Sequence, residues 1–404
     1  MKIPHLAEHR VCTGCMACAD SCSQQAINPY IGDDGHYYVK VDEAKCVGCL
    51  SCEKVCPVVS HSLYSQSEIA DFRAVWNKND EERRRSASGG AFSAMAHYIL
   101  DNGGIVIGAA IENVCDVRHI VVSDIKDLYR LQGSKYTQSN TIGIYKITFK
   151  LLKEGKTVLF SGTGCQVAGL LSIIRHKHYD GKLITVDLIC GGVPSKHLIK
   201  KFIDNESYHV KRLLSFRTKD HGWKPKGFVY NLKVEDTEGE VHDYVGKKNL
   251  VTTGFSTEMT NRYSCYNCKF VGTHRQSDFT IGDLWGDNKF PYEHFNGLSL
   301  VIAHSENAYR MLQDMKNYLH ISSYDASAAV KSNYRLVDGT CIMGNVWERK
   351  LMPELFRICS YSVLKKIYAN SYPNYSPWMM LKIFRKFYTF ILTVMKKLKI
   401  VYDK

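Results

Sequence analysis

Two short stretches carry residues of the right type and spacing for metal chemistry. "CTGCMACADSC" spans 12–22 and "CVGCLSCEKVC" spans 46–56. Cys12, Cys15, Cys18 and Cys22 recur as Cys46, Cys49, Cys52 and Cys56, each 34 positions later, and Gly14 recurs as Gly48. Three closely spaced thiolates can wrap one face of a cubane cluster. The fourth, three residues on, projects away and can reach a neighbouring cluster. Zinc sites instead favour paired C-x2-C knuckles at longer separation.

The pattern is C-x2-C-x2-C-x3-C, twice, with Pro57 after the last cysteine, as in bacterial two-cluster ferredoxins. Ser23 stands where a second proline often follows the first motif; proline shapes the turn there and is not a ligand. The spacing assigns Cys12, Cys15, Cys18 and Cys56 to one [4Fe-4S] cluster. Cys46, Cys49, Cys52 and Cys22 go to a second. Residues 26–45 between the motifs read as a hairpin turning at Asp34-Gly35.

Composition bounds the rest. The 404 residues are 45% hydrophobic, enough for two or three domains with a core that needs no disulfides. The first ten residues lack an apolar signal region. Fifteen cysteines in a chain expected to be cytoplasmic therefore point to metal. The net charge of +13 is concentrated partly in residues 375–404. There the longest uncharged run, Phe387–Met395, is well short of the about 20 residues a span requires. This tail reads as a basic helix for a membrane surface, or one packed on the domain or on another subunit. No aromatic-interleaved nucleic-acid module is present.

After a polar linker at 61–71 the pattern becomes α/β. Strands are expected at 72–78, 105–111, 157–160 and 183–190, and a helix follows the turn "SASGG". Cys165 in "VLFSGTGCQVAGL" and Cys190 in "DLICGGVPS" share one setting, a strand's C-terminal end before a helix. In open parallel sheets ligands bind at that edge. Cys265 and Cys268 form a further C-x2-C. Those four could hold a third [4Fe-4S] cluster or be buried core thiols; a low-pKa nucleophile at Cys165 is a third reading. Cys115, Cys341 and Cys359 have no partner pattern and read as structural.

The segments "SASGGAFSAMA", "LQGSKYTQS", "LFSGTGCQVAGL", "DLICGGVPS" and "CYNC…RQSDFTIGDLWG" occur in the order found in the coenzyme F420 hydrogenase/dehydrogenase beta-subunit family. The chain resembles that family over residues 73–290, fused to an N-terminal ferredoxin-like domain. The resemblance implies a flavoprotein that binds FAD beside an iron–sulfur cluster. It also implies an oxidoreductase passing electrons from a low-potential donor such as ferredoxin to a two-electron small-molecule acceptor. Two departures stand out: Gly164 replaces a common proline, and Gly191 replaces a frequent histidine. The flavin diphosphate would then meet Ser88, Gly89 and Gly90 at a helix N-terminus. Gly133, Ser134, Lys135 and Tyr136 would line the same site, with Gly162 and Thr163. Asp278, Asp283, His221 and Trp223 are candidates for ligand contact, with structural roles as the alternative.

The expected architecture is a mixed α+β and α/β protein. It comprises a two-cluster domain at 1–60, the linker, a flavin-binding α/β core at 72–320 and a helical extension at 321–404. An electron-transfer subunit without its own substrate, and a zinc-stabilised interaction protein, are the competing classes.

Overall fold

A computed structural model describes residues 2–60, 69–206, 208–224, 227–228, 231–246, 250–256, 258, 260–286, 289–337, 339, 355 and 359–370. Most of the linker, Cys341 and the basic tail at 371–404 lie outside the described residues.

In the N-terminal domain, short helices α1 (Ala17–Ser21) and α2 (Ser51–Lys54) each begin one residue before the third cysteine of their motif. Strands β1 (Ile27–Ile31) and β2 (Tyr37–Val41) form the expected hairpin, with Gly35 at φ 75°. The duplication extends to the backbone. Gly14 and Gly48 have φ of 66° and 69°, and Met16 and Leu50 have φ of 63° and 59°. Left-handed non-glycine residues are uncommon. Their recurrence at the same repeat position shows that the two loops are wound alike.

The core is an eight-stranded sheet. Its strands are β3 (Asp71–Asn77), β4 (Ile105–Glu112), β5 (Asp116–Val122), β6 (Thr157–Thr163), β7 (Lys182–Leu188), β13 (Phe279–Asp283), β14 (Ser299–Ala303) and β15 (Leu319–Ser323). The order is β15-β3-β14-β13-β7-β6-β4-β5, with a parallel centre β13-β7-β6-β4 and antiparallel flanks. Strands β8 (Val210–Ser215), β11 (Asn231–Asp236) and β12 (Val241–Val245) make a smaller sheet, and β9 (Trp223–Lys224) pairs with β10 (Gly227–Phe228). The core extends past residue 320, because β15 straddles that boundary. Ala329 and Leu336 pack under β3 and β14.

Helices cover both faces of the sheet. The helix Ala91–Asp101 packs with Val106, Leu159 and Ile184 on one face. The helices Ile144–Lys153 and Gly164–Ile174 pack with Ile107, Val158 and Phe160 on the other. Cys15 and Ala17 of the N-terminal domain are buried in that second cluster. Asp20 accepts N–H bonds from Gly143 at 2.7 Å and Tyr145 at 3.1 Å, capping the start of the helix Ile144–Lys153 from another domain. The hairpin tip is seated too. A Cβ on Gly35 would lie 2.2 Å from Ser195 Oγ, and His36 Nε2 donates to Thr260 O at 3.2 Å. Among the described residues, no helix is long and apolar enough to cross a membrane.

Candidate functional site

Among the described residues, eleven cysteines fall into three groups. Burial, then the neighbouring sulfurs of Cys56 and Cys12, push the Cys15 thiol up to about 12. Cys18 is pushed higher by burial and by Cys15, Cys12 and Cys56. Cys22, Cys46, Cys49 and Cys52 line one small cavity with Pro4, Ala26 and Ile27. Burial followed by the Cys22 and Cys49 charges raises Cys52. These are the two sets expected from spacing. Burial leads each of these shifts and the neighbouring sulfurs add to it, so a cation held among the thiols would favour their thiolate form.

The third group lies at the C-terminal ends of β6 and β7. Burial raises the Cys165 thiol well above its usual value, with Cys268, Cys15 and Cys190 adding to the rise. Cys268 is likewise raised, by burial first and Cys190 after it. Cys265 sits three residues before Cys268 in the turn Tyr263–Tyr266. Glycines let these loops crowd together: a Cβ on Gly164 would lie 3.0 Å from Phe270 O, and one on Gly192 2.3 Å from Asn261 Nδ2. Cys12, Cys190 and Cys268 each accept an N–H from the residue two positions on, at 3.4 Å. Such bonds stabilise charge on a ligating sulfur.

A tetrahedral zinc site would place its sulfurs about 3.8 Å apart, given Zn–S bonds of about 2.3 Å. Among the described residues, the group whose ligand atoms converge within 4.8 Å is Asp236, Glu240 and His242. There Asp236 is already bonded to Glu238 N, Glu240 N and His242, which makes it a hairpin-turn brace. Among the described residues, no cysteine trio brings all its sulfurs within 4.8 Å of one another.

A cavity of about 640 Å3 opens beside the third group, a size suited to a cofactor. Cys165 and Cys190 line it together with Ser88, Gly90, Gly133, Ser134, Lys135, Tyr136, Gly162 and Thr163. Gly89 does not line it. A Cβ there would lie 2.6 Å from Ser299 N and 2.7 Å from Val75 O, so Gly89 lets the turn press against β14 and β3. Gly90, at φ 83°, is the N-cap of the helix Ala91–Asp101. Ser88 Oγ is committed to Leu298 O. Lys135 donates to Gln132 O at 2.6 Å, and burial pushes it down to about 7. Thr163 caps the helix Gly164–Ile174 in a capping box with Gln166, and its Oγ1 lies 3.2 Å from Cys165 Sγ.

With the cysteine loops, glycine turns and strand ends in place, the family comparison applies to named parts of the fold. Residues 73–146 match the model of the coenzyme F420 hydrogenase/dehydrogenase, beta subunit N-term, and residues 155–327 match its C terminus. The chain belongs to the coenzyme F420 hydrogenase/dehydrogenase beta-subunit family. Residues 11–59 match a 4Fe-4S dicluster domain, so this member carries an N-terminal iron–sulfur electron-transfer module. It is similar to an F(420)H(2) dehydrogenase subunit of Methanosarcina mazei, at 25% identity over 198 residues. That match covers 47% of this chain and 56% of the relative, so the chain spans little more than half of that protein. A chain of the F420-reducing [NiFe] hydrogenase complex from Methanosarcina barkeri is also similar, at 16% identity and a TM-score of 0.43, covering 68% of this chain and 91% of that one.

Several residues of this beta-subunit family member escaped sequence reasoning because no motif marks them. Arg217 is buried, lines the cavity, and forms a two-pronged ion pair with Asp283 at 2.9 and 3.1 Å. It also donates to Tyr136 Oη at 3.2 Å. His119 lines the cavity, donates from Nε2 to Ser161 O at 2.9 Å and accepts at Nδ1 from Ser139 Oγ at 2.8 Å. Burial pushes it down to about 4, so the ring is neutral. Arg335 and Arg275 flank the third group and favour negative charge on Cys268. Arg335 also donates to Cys265 O at 3.2 Å and Gly191 O at 3.1 Å.

The other candidates resolve to structure. Asp278 accepts from Thr185 N and Oγ1 at 2.7 and 2.8 Å, tying β13 to β7. His221 pairs with Asp243 at 2.8 Å on the surface. Trp223 is buried and stacks on Trp285, which lines the cavity. Cys115 and Cys359 belong to neither the cavity nor the three groups.

Proposed function

We propose that the chain is an iron–sulfur flavoprotein oxidoreductase holding three [4Fe-4S] clusters and FAD, and delivering electrons to a two-electron acceptor. The observation that carries this is the shared wall: Cys165 and Cys190 line the same cavity as the glycine turns, Lys135 and Arg217. The donor chemistry fits both kinds of group. Four thiols per group suit a cubane, and Gly133, at φ 76° with nothing within 4 Å of a Cβ position, leaves room for a bulky cofactor. When bound, the clusters supply single electrons and FAD supplies the conversion to two-electron chemistry.

The chain's residues bind, orient and insulate. Ser88 and Gly90 at the helix start and the loop at Gly133–Tyr136 bring backbone close to a diphosphate. Lys135 and Arg217 offset its charge. The ring pair Tyr136–Phe255, stacked with centroids 3.8 Å apart, gives the cavity a flat apolar surface. In the N-terminal domain Cys49 is exposed, which suits entry of electrons from a low-potential carrier such as ferredoxin. The relative's name as a dehydrogenase subunit favours a second reading, in which the chain passes electrons to a catalytic partner and has no substrate of its own.

Anaerobically purified protein tests the proposal. About twelve iron atoms and one flavin per chain are expected, four iron atoms for each cubane. A preparation with no sulfide and no yellow chromophore overturns it. Turnover of an acceptor by the dithionite-reduced protein alone separates the complete enzyme from the electron-transfer subunit.

Lys135 gives a pH signature. Without an anion beside it, burial holds its pKa at about 7. A diphosphate favours the ammonium and raises that value, so binding above pH 7 takes up a proton. Flavin affinity is expected to be flat below pH 7 and to fall up to about tenfold per pH unit above it. Titrations between pH 6 and 9 read this slope, and Lys135→Met should remove it.

A further inference from the structure

The helix Gly164–Ile174 has a glycine in its middle. Glycine inside a helix is worse than alanine by about 1 kcal/mol. Gly169 has no positive φ to explain it. Its reason is a neighbour from the N-terminal domain. A Cβ on Gly169 would lie 3.2 Å from Cys15 Sγ, 3.3 Å from Cys15 Cβ and 3.1 Å from Tyr145 Oη. Cys15 is thus pressed against bare helix backbone.

Cys165 stands four residues earlier on that helix, on the same face and about 6 Å along it. One sulfur of the first group and one of the third therefore flank a single helical turn. The arrangement is braced on both sides. Tyr145 Oη donates to Gln166 O at 3.0 Å, and Thr141 Oγ1 donates to Cys15 O at 2.8 Å.

We propose that Gly169 is a spacing residue for electron transfer. Its missing side chain sets the gap between the cluster on Cys12, Cys15, Cys18 and Cys56 and the one on Cys165, Cys190, Cys265 and Cys268. The first turn of this helix is the path between them. One electron leaves the first centre and one arrives at the third; no bond forms or breaks and no proton is required. The inference rests on the reading of both groups as cluster ligands.

The test uses full-length Gly169→Ala and Gly169→Leu, purified anaerobically, with iron counted first. Wild type and the alanine variant should both hold about twelve iron atoms; thermal unfolding is recorded beside the iron count, because alanine favours the helix while its Cβ meets Cys15 and Tyr145 at 3.1–3.3 Å. In the reduced protein, the magnetic interaction between neighbouring clusters, read by electron paramagnetic resonance, should weaken in Ala and vanish in Leu. After rapid mixing with dithionite, reduction of the third centre should slow several-fold in Ala and more than tenfold in Leu. Should Leu instead lose about four iron atoms while staying folded, the added side chain has displaced Cys15, which equally supports close spacing. Full iron with unchanged magnetic interaction and unchanged rates in both variants overturns the proposal. Only about eight iron atoms in wild type overturns the third-cluster reading beneath it.

Discussion

Cys165→Ser is expected to lower the iron content from about twelve to about eight atoms per chain, the difference being one cubane. Serine is nearly isosteric, so packing at the start of the helix Gly164–Ile174 survives. What it loses is thiolate softness at a position where Cys268 and Cys190 converge. The two N-terminal sets lie in a different domain with their own loops, and their iron should stay. Iron analysis with electron paramagnetic resonance decides the matter, because the surviving signals should be those of the N-terminal clusters. Cys115→Ser is the matched control; it lies outside all three groups and should keep all its iron. Unchanged iron in Cys165→Ser would return Cys165 to the status of a packed thiol.

Gly133→Val is expected to weaken flavin retention by more than tenfold, read as flavin per chain after gel filtration. Gly133 borders the cavity, and a side chain there would meet no protein atom within 4 Å. It would project into space that a cofactor uses. A β-branched residue at positive φ also carries a strain of order 1–3 kcal/mol, so lower stability alone could be mistaken for the effect. Gly103→Val separates the two. Gly103 has φ 72°, also with nothing within 4 Å, but it ends the helix Ala91–Asp101 away from the cavity. Equal destabilisation with flavin lost only in Gly133→Val identifies a blocked site.

Local chemistry was legible from order alone. The duplicated cysteine spacing points to a 4Fe-4S dicluster domain, which the match over residues 11–59 bears out, because a cubane limits how far apart consecutive thiolates can stand and that constraint is short-range. The turn at Gly35, at positive φ, and the buried apolar strands β4, β6 and β7 are likewise local facts. So is the family order of the motifs, which the matched regions bear out.

Tertiary structure decided what touches what. Strand β13 lies beside β7 although about ninety residues separate them, and Asp283 at its end meets Arg217, which follows a strand of the smaller sheet. Arg217 itself has no motif, since a buried guanidinium is defined by the groups that surround it. Gly89 read as a ligand contact and proved to be a close-packing site, because glycine serves both purposes and spacing cannot tell them apart. The seating of Cys15 against Gly169 joins residues about 150 positions apart. A one-dimensional pattern records which side chains are present; distances between remote ones exist only after the sheet and its covering helices have packed.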